Sequence, residues 1–510
     1  RALTIPRTRW FLVGMTLAAT GLTVFAQQVA LRGQVVALDS SVYLMEARAL
    51  SHFALGTPIP EPHLPFSGRF LFEGPDGRMY GVFPPGFPLF LAPFVKLGAP
   101  LLAGPVTAAL LVIAQYVLGR SMTRDEAAIR LSIVMTLPSF ARAFETADLL
   151  SHAFVAVLSS LAVAAALRLG RAPRAWMAAG MGAAVGWVFS ARLLDGLVLG
   201  GVVSAVTLHL AWKRRVPAKL LAIAALCALP FVGLLAAHQH AATGSYTTPT
   251  QSAYFVRSDW PPTCHRLGFG KDVGCSVEHP NDRAAFGKDG YDLSDALRVV
   301  RSRAEALGAD LFGAGAVALL GFALIVRRRA PSYAVVGAYV VGLTLLYGLF
   351  YYGNAPGFGA RHLFPVAPFL YLLVARGVAT LGSGTDAASL SRMRGAVALG
   401  ILGVALLGHF ERWRRAARDL SAVQAERGDL RRAAEAQGIT RGLVLTSDMY
   451  QYLAAFDPVL DGPDRVLAVN DGAGAVELRR AHPGIPTYVF SQGSLRPVEL
   501  PPPAPGLSIE

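Results

Sequence analysis

Charge is scarce in this sequence. Asp, Glu, Lys and Arg make up 16% of its 510 residues, against 53% hydrophobic residues. Soluble domains are nearer a quarter charged, so the composition excludes an ordinary water-soluble globule and indicates a chain that crosses a membrane many times. Acidic residues are the rarer sign, 33 against 47 basic ones, for a net charge of +14. That excess does not point to nucleic acid. The basic residues cluster in short loops between apolar runs, and no basic–aromatic groove accompanies them. Also missing are a P-loop, a dinucleotide fingerprint and any solenoid-type repeat. No small-residue cleavage site follows the first apolar run, which is long enough to span, so a cleaved signal peptide is not expected. The abundance of Ala, Gly, Leu and Arg has the look of a GC-rich bacterial source.

Apolar segments of spanning length recur near Trp10–Leu31, Phe87–Gly119, Ala127–Phe140, Leu149–Leu169, Trp176–Ser190, Leu193–Trp212, Leu220–Ala237, Leu311–Val326, Tyr333–Tyr352, His362–Ala379 and Gly395–Phe410. The expectation is an all-α polytopic protein of about eleven spans. The second segment is too long for one span; Gly98 and Pro100 break an interfacial lead-in from the span proper. Basic clusters at Arg1–Arg9, Arg120–Arg130, Arg168–Arg174, Lys213–Lys219, Arg327–Arg329 and Arg392–Arg394 fall on one side if the count is odd. The positive-inside rule makes that side, and the N-terminus, cytoplasmic. Residues 1–410 then form the membrane region. Outside lie the loops 35–85 and 238–310, the second ending in an amphipathic helix, Leu293–Leu307. The tail from Glu411 also lies outside: a basic amphipathic helix to about Gln437, then strands Gly442–Thr446, Arg465–Val469 and Thr487–Phe490 in a small α/β unit. Residues 501–510, PPPAPGLSIE, read as disordered.

The three cysteines divide. Cys227 sits inside a span as plain core. Cys264 and Cys275 share a turn-rich stretch of the second outer loop, where an oxidising compartment favours a disulfide. A zinc site with His265 and His279 is the competing reading, weakened by the absence of CxxC spacing.

Residues suited to chemistry gather at the outer ends of the spans. In ALDSSVYLMEARAL, Asp39 leaves the first span, and a short amphipathic helix follows that would lie along the membrane surface. Asp39 or Ser40 reads either as the cap of a helix beginning near Val42 or, compatibly, as a carboxylate held at the water–lipid boundary. FPPGFPLFLAP is a rigid turn into a span. FETADLLSH carries Glu145, Asp148 and His152, which share a face if the turn is helical. One carboxylate there is suited to a metal or a phosphate, or Asp148 caps the span; His152 is either hydrogen-bonded core or a ligand. Arg192 and Asp195 either pair with each other or face a cavity. GFGARHLFPVAPF puts Arg361 and His362 on the side where the orientation rule does not want a cation. A guanidinium there either snorkels to headgroups or holds an anion such as phosphate.

In this order the motifs resemble the GT-C membrane glycosyltransferases, in particular bacterial relatives of protein O-mannosyltransferases and aminoarabinose transferases. The resemblance runs from Trp10 to Ala379 through DSSVYLMEARAL, FPPGFPLFLAP, ETADLLSH, ARLLDG and GFGARHLFPVAP. It implies a sugar donor on a polyprenyl phosphate. It also implies Asp39 as the catalytic aspartate, Glu145 or Asp148 as the second acidic position, and Arg361 as the arginine near the carrier phosphate. Ser40 stands where the family often has a second acid, and nothing in the tail beyond Phe410 matches. The expected function is transfer of a sugar from undecaprenyl phosphate to an extracytoplasmic lipid, glycan or protein acceptor at the bacterial cytoplasmic membrane. Asp39 would be general base, and Arg361, with Arg192 and His362, would serve the phosphate. A divalent metal is compatible with these residues but not required. The competing class is a flippase of polyprenyl-linked lipid, which would carry charge deep in its spans and pseudo-symmetric halves; a non-catalytic scaffold is a third.

Overall fold

The computed structural model describes residues 5–59, 61–286, 290–313, 331–352, 360–380, 387–455, 466–470, 475–481 and 483–498. Among them, seven helices are long and apolar enough to cross a membrane: Thr8–Ala30, Pro100–Met122, Ser151–Leu169, Leu193–Trp212, Ala218–Thr243, Arg361–Ala379 and Ser389–Arg427. The bent pair Glu126–Thr136 and Phe140–Ala147 brings the number to eight if it is one span. Gly86–Lys96, Ala175–Ala191 and Ser332–Gly348 are apolar but shorter. This is an integral, multi-pass membrane protein, mostly helical, with seven or eight candidate spans where about eleven were expected. From residue 314 on, the expected span Leu311–Val326 lies outside the described residues, as does the loop Arg327–Arg329.

The first helices are α1 Ile5–Phe25, α2 Leu38–Ser51, α3 Gly86–Lys96, α4 Ala103–Met122, α5 Glu126–Thr136, α6 Phe140–Ala147, α7 Ser151–Leu169, α8 Ala175–Ala191, α9 Leu193–Trp212, α10 Ala218–Thr243 and α11 Thr250–Ser258. The expected single span Ala127–Phe140 is in fact broken. Pro138 cannot donate to the preceding turn, and α5 and α6 diverge by 64°. Ser139 caps α6 by accepting from Arg142 N. The buried Arg142 side chain donates to Leu137 O and Ala19 O, both at 3.2 Å, tying the break to α1.

Glycines set two close approaches. A Cβ on Gly182 would come within 1.9 Å of Ala224 O, and one on Gly186 within 2.6 Å of Ala228 O. This small-xxx-small stripe lets the backbone of α8 meet α10. A Cβ on Gly86 would meet Ala191 N at 2.6 Å. The PPG turn therefore seats α3 directly on the end of α8, where Trp187 Nε1 donates to Gly86 O at 2.7 Å.

The α2 helix does not lie along an open membrane surface. Ser40 through Ala47 are all buried. The amphipathic pattern misleads because α2 is covered on more than one side: by α3, by a three-stranded sheet, and by the C-terminal unit. The sheet has β1 Thr57–Pro58, β2 Leu71–Glu73 and β3 Arg78–Gly81, in the order β1-β3-β2. Glu46 is buried, 3.6 Å from His238 of α10, and burial pushes its carboxyl up.

The last span is part of one uninterrupted helix, Ala387–Arg427, that carries the chain past residue 410. After it, β4 Gly442–Thr446, β5 Val466–Asn470, β6 Thr487–Ser491 and β7 Ser494–Pro497 form a mixed sheet in the order β5-β4-β6-β7. β4 is parallel to β5 and β6, and β7 closes a hairpin that the sequence did not announce. Residue 465 and the tail 499–510 lie outside the described residues. This unit docks on the first loop: Arg48 donates to Leu453 O, Tyr452 to Phe66 O and Gln424 to Val35 O. At the other end of the bundle, Arg130 donates to Thr8 and Arg376 pairs with Asp125. Arg168 and Arg171 donate to Val117 O and Ser121 O at the foot of α4, and the candidate chemistry gathers at the end with the C-terminal unit.

Candidate active site

The first turn of α2 is fixed from outside the helix. Its N-cap is Ala37, which has no side chain to cap with. Asp148, at the C-cap of α6, accepts from Val36 N at 2.5 Å, Ala37 N at 2.9 Å and Ser40 Oγ at 3.4 Å. Neither Asp39 nor Ser40 is therefore the cap, and the helix begins at Leu38 rather than near Val42. Burial pushes the Asp148 carboxyl up, to about 7, against the downward pull of its two backbone donors. Asp39 falls in the first helical turn, where the helix dipole favours a carboxylate.

From this position Asp39 reaches Arg361: Oδ2 and Nη1 are 3.4 Å apart, with the side chains 15% and 9% exposed. Arg361 opens the 3-10 turn Arg361–Val366. The residue before it is held by Asp310, which accepts from Ala360 N at 3.2 Å and pairs with Arg412. The preceding glycines Gly357 and Gly359 lie outside the described residues.

Arg192, between α8 and α9, is a hub. It donates to Asp195 Oδ2 at 2.9 Å and to Tyr347 Oη at 2.6 Å, and Nη2 lies 3.0 Å from His362 Nδ1. Tyr347 in turn donates to Asp195 at 2.6 Å. Arg192 and Asp195 thus both pair and face the interior. An arginine can only donate, so His362 Nδ1 is the acceptor and its proton belongs on Nε2. Behind it, His152 Nδ1 bonds Glu145 Oε2 at 2.8 Å, with the His152 and His362 rings 5.5 Å apart. The turn between α6 and α7 is not helical; Leu149 has φ of 55°. Glu145, Asp148 and His152 therefore do not share one face. Asp148 holds α2, while Glu145 and His152 form a buried pair.

Asp39, Arg361, Arg192 and His362 line one cavity of about 270 Å³, together with Tyr43, Tyr347, Tyr352 and Phe83. The loop 238–310 supplies another wall. Cys264 and Cys275 are joined in a disulfide, so no thiolate pair is present for zinc. Asp259 lies beside them and accepts from the backbone N–H of Trp260, Ser276, Val277 and Glu278. Burial works against its ionisation, but those four donors hold its carboxyl below the ordinary value. Between the cysteines, His265 faces the cavity and stacks on Phe255 at 4.0 Å; burial pushes it down to about 4. Among the described residues no third ligand joins Glu145 and His152 in a metal cluster.

Sequence reasoning missed two residues that position the site. Arg303 is buried and donates to the carbonyls of Tyr347, Phe350 and Tyr352, fixing the segment that carries the cavity tyrosines. Asp310 stands in the sequence only as the last residue of the loop 238–310. Arg303 sat on the wrong face for a plain amphipathic helix, which was its one sequence signal.

No protein-family model matches this sequence, and no match emerged among curated proteins. Solved structures do match. Crystal structures of ArnT from Cupriavidus metallidurans, one bound to undecaprenyl phosphate and one in the apo state, both align at a TM-score of 0.57. Identity is 13% and 12%, over 94% of this chain and 93% and 92% of theirs. The apo oligosaccharyltransferase of Archaeoglobus fulgidus aligns at 0.48, with 12% identity, over 89% of this chain and 64% of that one. The ArnT likeness establishes the fold, which is GT-C-like.

Proposed function

We propose that this protein is an integral membrane glycosyltransferase that moves a sugar from a polyprenyl-phosphate donor to an extracytoplasmic acceptor. The observation that carries this reading is the Asp39–Arg361 pair on the wall of a cavity built at one end of the bundle. It is supported by the likeness to a protein crystallised with undecaprenyl phosphate. A carboxylate and a guanidinium in contact are complementary tools for displacement at a sugar phosphate. When the donor binds, Arg361 exchanges Asp39 for the phosphate, with Arg192 beside it. That exchange releases Asp39 to take the proton of the acceptor hydroxyl. The acceptor oxygen bonds to the anomeric carbon as its bond to the phosphate oxygen breaks. The electron pair leaves on the polyprenyl phosphate, where the guanidiniums meet the developing charge. A single displacement through an oxocarbenium-like state inverts the anomeric centre. Lipid phosphate is a good leaving group, so no acid is needed.

In this reading Asp148 positions Asp39, and Glu145 with His152 supports His362. The membrane region is residues 1–410 and the extracytoplasmic unit 411–500; the N-terminus is cytoplasmic. The test is transfer in proteoliposomes loaded with a sugar-bearing polyprenyl phosphate and a crude outer-membrane acceptor extract. Release of polyprenyl phosphate together with glycosylated acceptor supports the proposal. Lipid translocation with no release of polyprenyl phosphate refutes it in favour of a flippase.

A further inference from the structure

The cavity is unevenly charged. Among its described lining residues Asp39 is the sole carboxylate, and it is paired with Arg361. Arg192 and Arg266 line the same space. Asp195 stands behind Arg192 and is committed to it and to Tyr347. Once the donor phosphate holds Arg361, the one carboxylate left in the cavity is Asp39, the acceptor's base, so a cationic sugar group would lose its water among guanidiniums and could pair only by occupying that base, which is costly for any buried charge.

The neutral polar groups behave differently. Gln239 near the end of α10, and Gln251 and Ser252 in the first turn of α11, line the cavity, and their side chains make no hydrogen bond among the described residues. Their neighbour Thr250 is by contrast used up, donating to Val82 O at 2.8 Å. A primary amide both donates and accepts, as a sugar hydroxyl does. The stacked Phe255 and His265 add a flat apolar wall. Pockets for drug-sized ligands run from roughly 300 to 1,000 Å³. At about 270 Å³ this one is of the size that seats a single sugar ring.

We infer that the sugar on the donor is one neutral, hydroxyl-bearing monosaccharide, recognised by Gln239, Gln251 and Ser252, and that the cavity discriminates against an amino sugar. The inference rests on the transferase reading for the identity of the donor lipid. Its test is binding, not transfer. Purified full-length protein is titrated with bare polyprenyl phosphate, with the same lipid bearing a neutral hexose, and with the same lipid bearing an amino pentose. The neutral sugar should tighten binding about tenfold over bare lipid, the worth of one or two good hydrogen bonds. The amino sugar should bind no tighter than bare lipid. Gln239→Leu with Gln251→Leu should erase the neutral-sugar gain and leave bare-lipid binding intact, which also shows the variant is folded. Gln239→Glu should tighten binding of the amino sugar. Equal or tighter binding of the amino sugar by wild type, or no gain from a neutral sugar, overturns the inference. A neutral-sugar preference with no transfer of any donor would leave it standing and sink the transferase reading. Transfer from the amino-sugar donor in preference would do the reverse.

Discussion

At the start of α2, Asp148 accepts from the backbone N–H groups of Val36 and of the cap residue Ala37. Removing it leaves buried N–H groups without acceptors, each costing about 1–3 kcal/mol. It also lets Asp39 drift, and a displacement of about 1 Å at a reacting group can cost on the order of a hundredfold in rate. Asp148→Ala should therefore lower both the melting temperature and the transfer rate, with donor affinity nearly unchanged. Asp148→Glu, a longer carboxylate, should restore part of the stability but little of the rate. If Asp148→Ala transferred at the wild-type rate, Asp148 would be a fold residue alone. The sequence made Asp39, Asp148 and Arg361 visible because acids and a lone arginine stand out at the ends of apolar runs. It did not show that Asp39 meets Arg361, or that Asp148 serves α2, because both contacts join segments far apart in the chain.

Elements carry the site through close approach and loop closure. Gly86 leaves no room for a side chain between α3 and α8. Gly86→Ala would push a methyl group into the Ala191 backbone, and overpacking of this kind costs about 1–3 kcal/mol. A lower melting temperature with weakened transfer is expected; an unchanged melting temperature would show that α3 shifts without strain. The wall between Cys264 and Cys275 has a pH signature. Burial lowers His265 from its ordinary 6.5 to about 4. Over that window the unfolded chain takes up the proton first, so stability from the neutral, stacked ring is complete above about pH 6.5 and is lost as pH falls toward 4. The melting temperature should fall across that range, and His265→Phe, which keeps the ring, should flatten part of the fall. An identical pH slope in the variant would remove His265 from this account. The disulfide was legible from two cysteines sharing a turn-rich loop. The burial of α2 was not, because LDSSVYLMEARALS has an amphipathic face and its covering pieces, β3 and the helix Met449–Ala455, lie far along the chain.

Across the whole molecule, two sets of side chains mark two ends. Arg130 with Thr8, and Arg376 with Asp125, form two pairs at one end, and the cavity, the disulfide loop and the C-terminal sheet share the other. Reporter fusions after Gly119 and Trp212 should read cytoplasmic, and fusions after Ala237 and Arg427 external; a cytoplasmic reading after Arg427 would contradict the proposed sidedness. The spans were legible because bilayer thickness fixes their length. The count differs because the segment at Pro138 is bent by 64°, because Ala175–Ala191 and Ser332–Gly348 are short, and because most of Leu311–Val326 lies outside the described residues; a proline marks where a helix is weak but not whether packing bends it. The central claim is that Arg361 holds the donor phosphate while Asp39 serves the acceptor. The direct measurement is donor-lipid affinity and transfer rate on the same preparations of wild type, Arg361→Ala and Asp39→Asn. Arg361→Ala should lose both. Asp39→Asn should bind donor at least as tightly as wild type, since Arg361 loses its competitor, while transfer falls by on the order of a hundredfold to ten-thousandfold. Wild-type donor affinity in Arg361→Ala, or near-normal transfer by Asp39→Asn, would contradict the account.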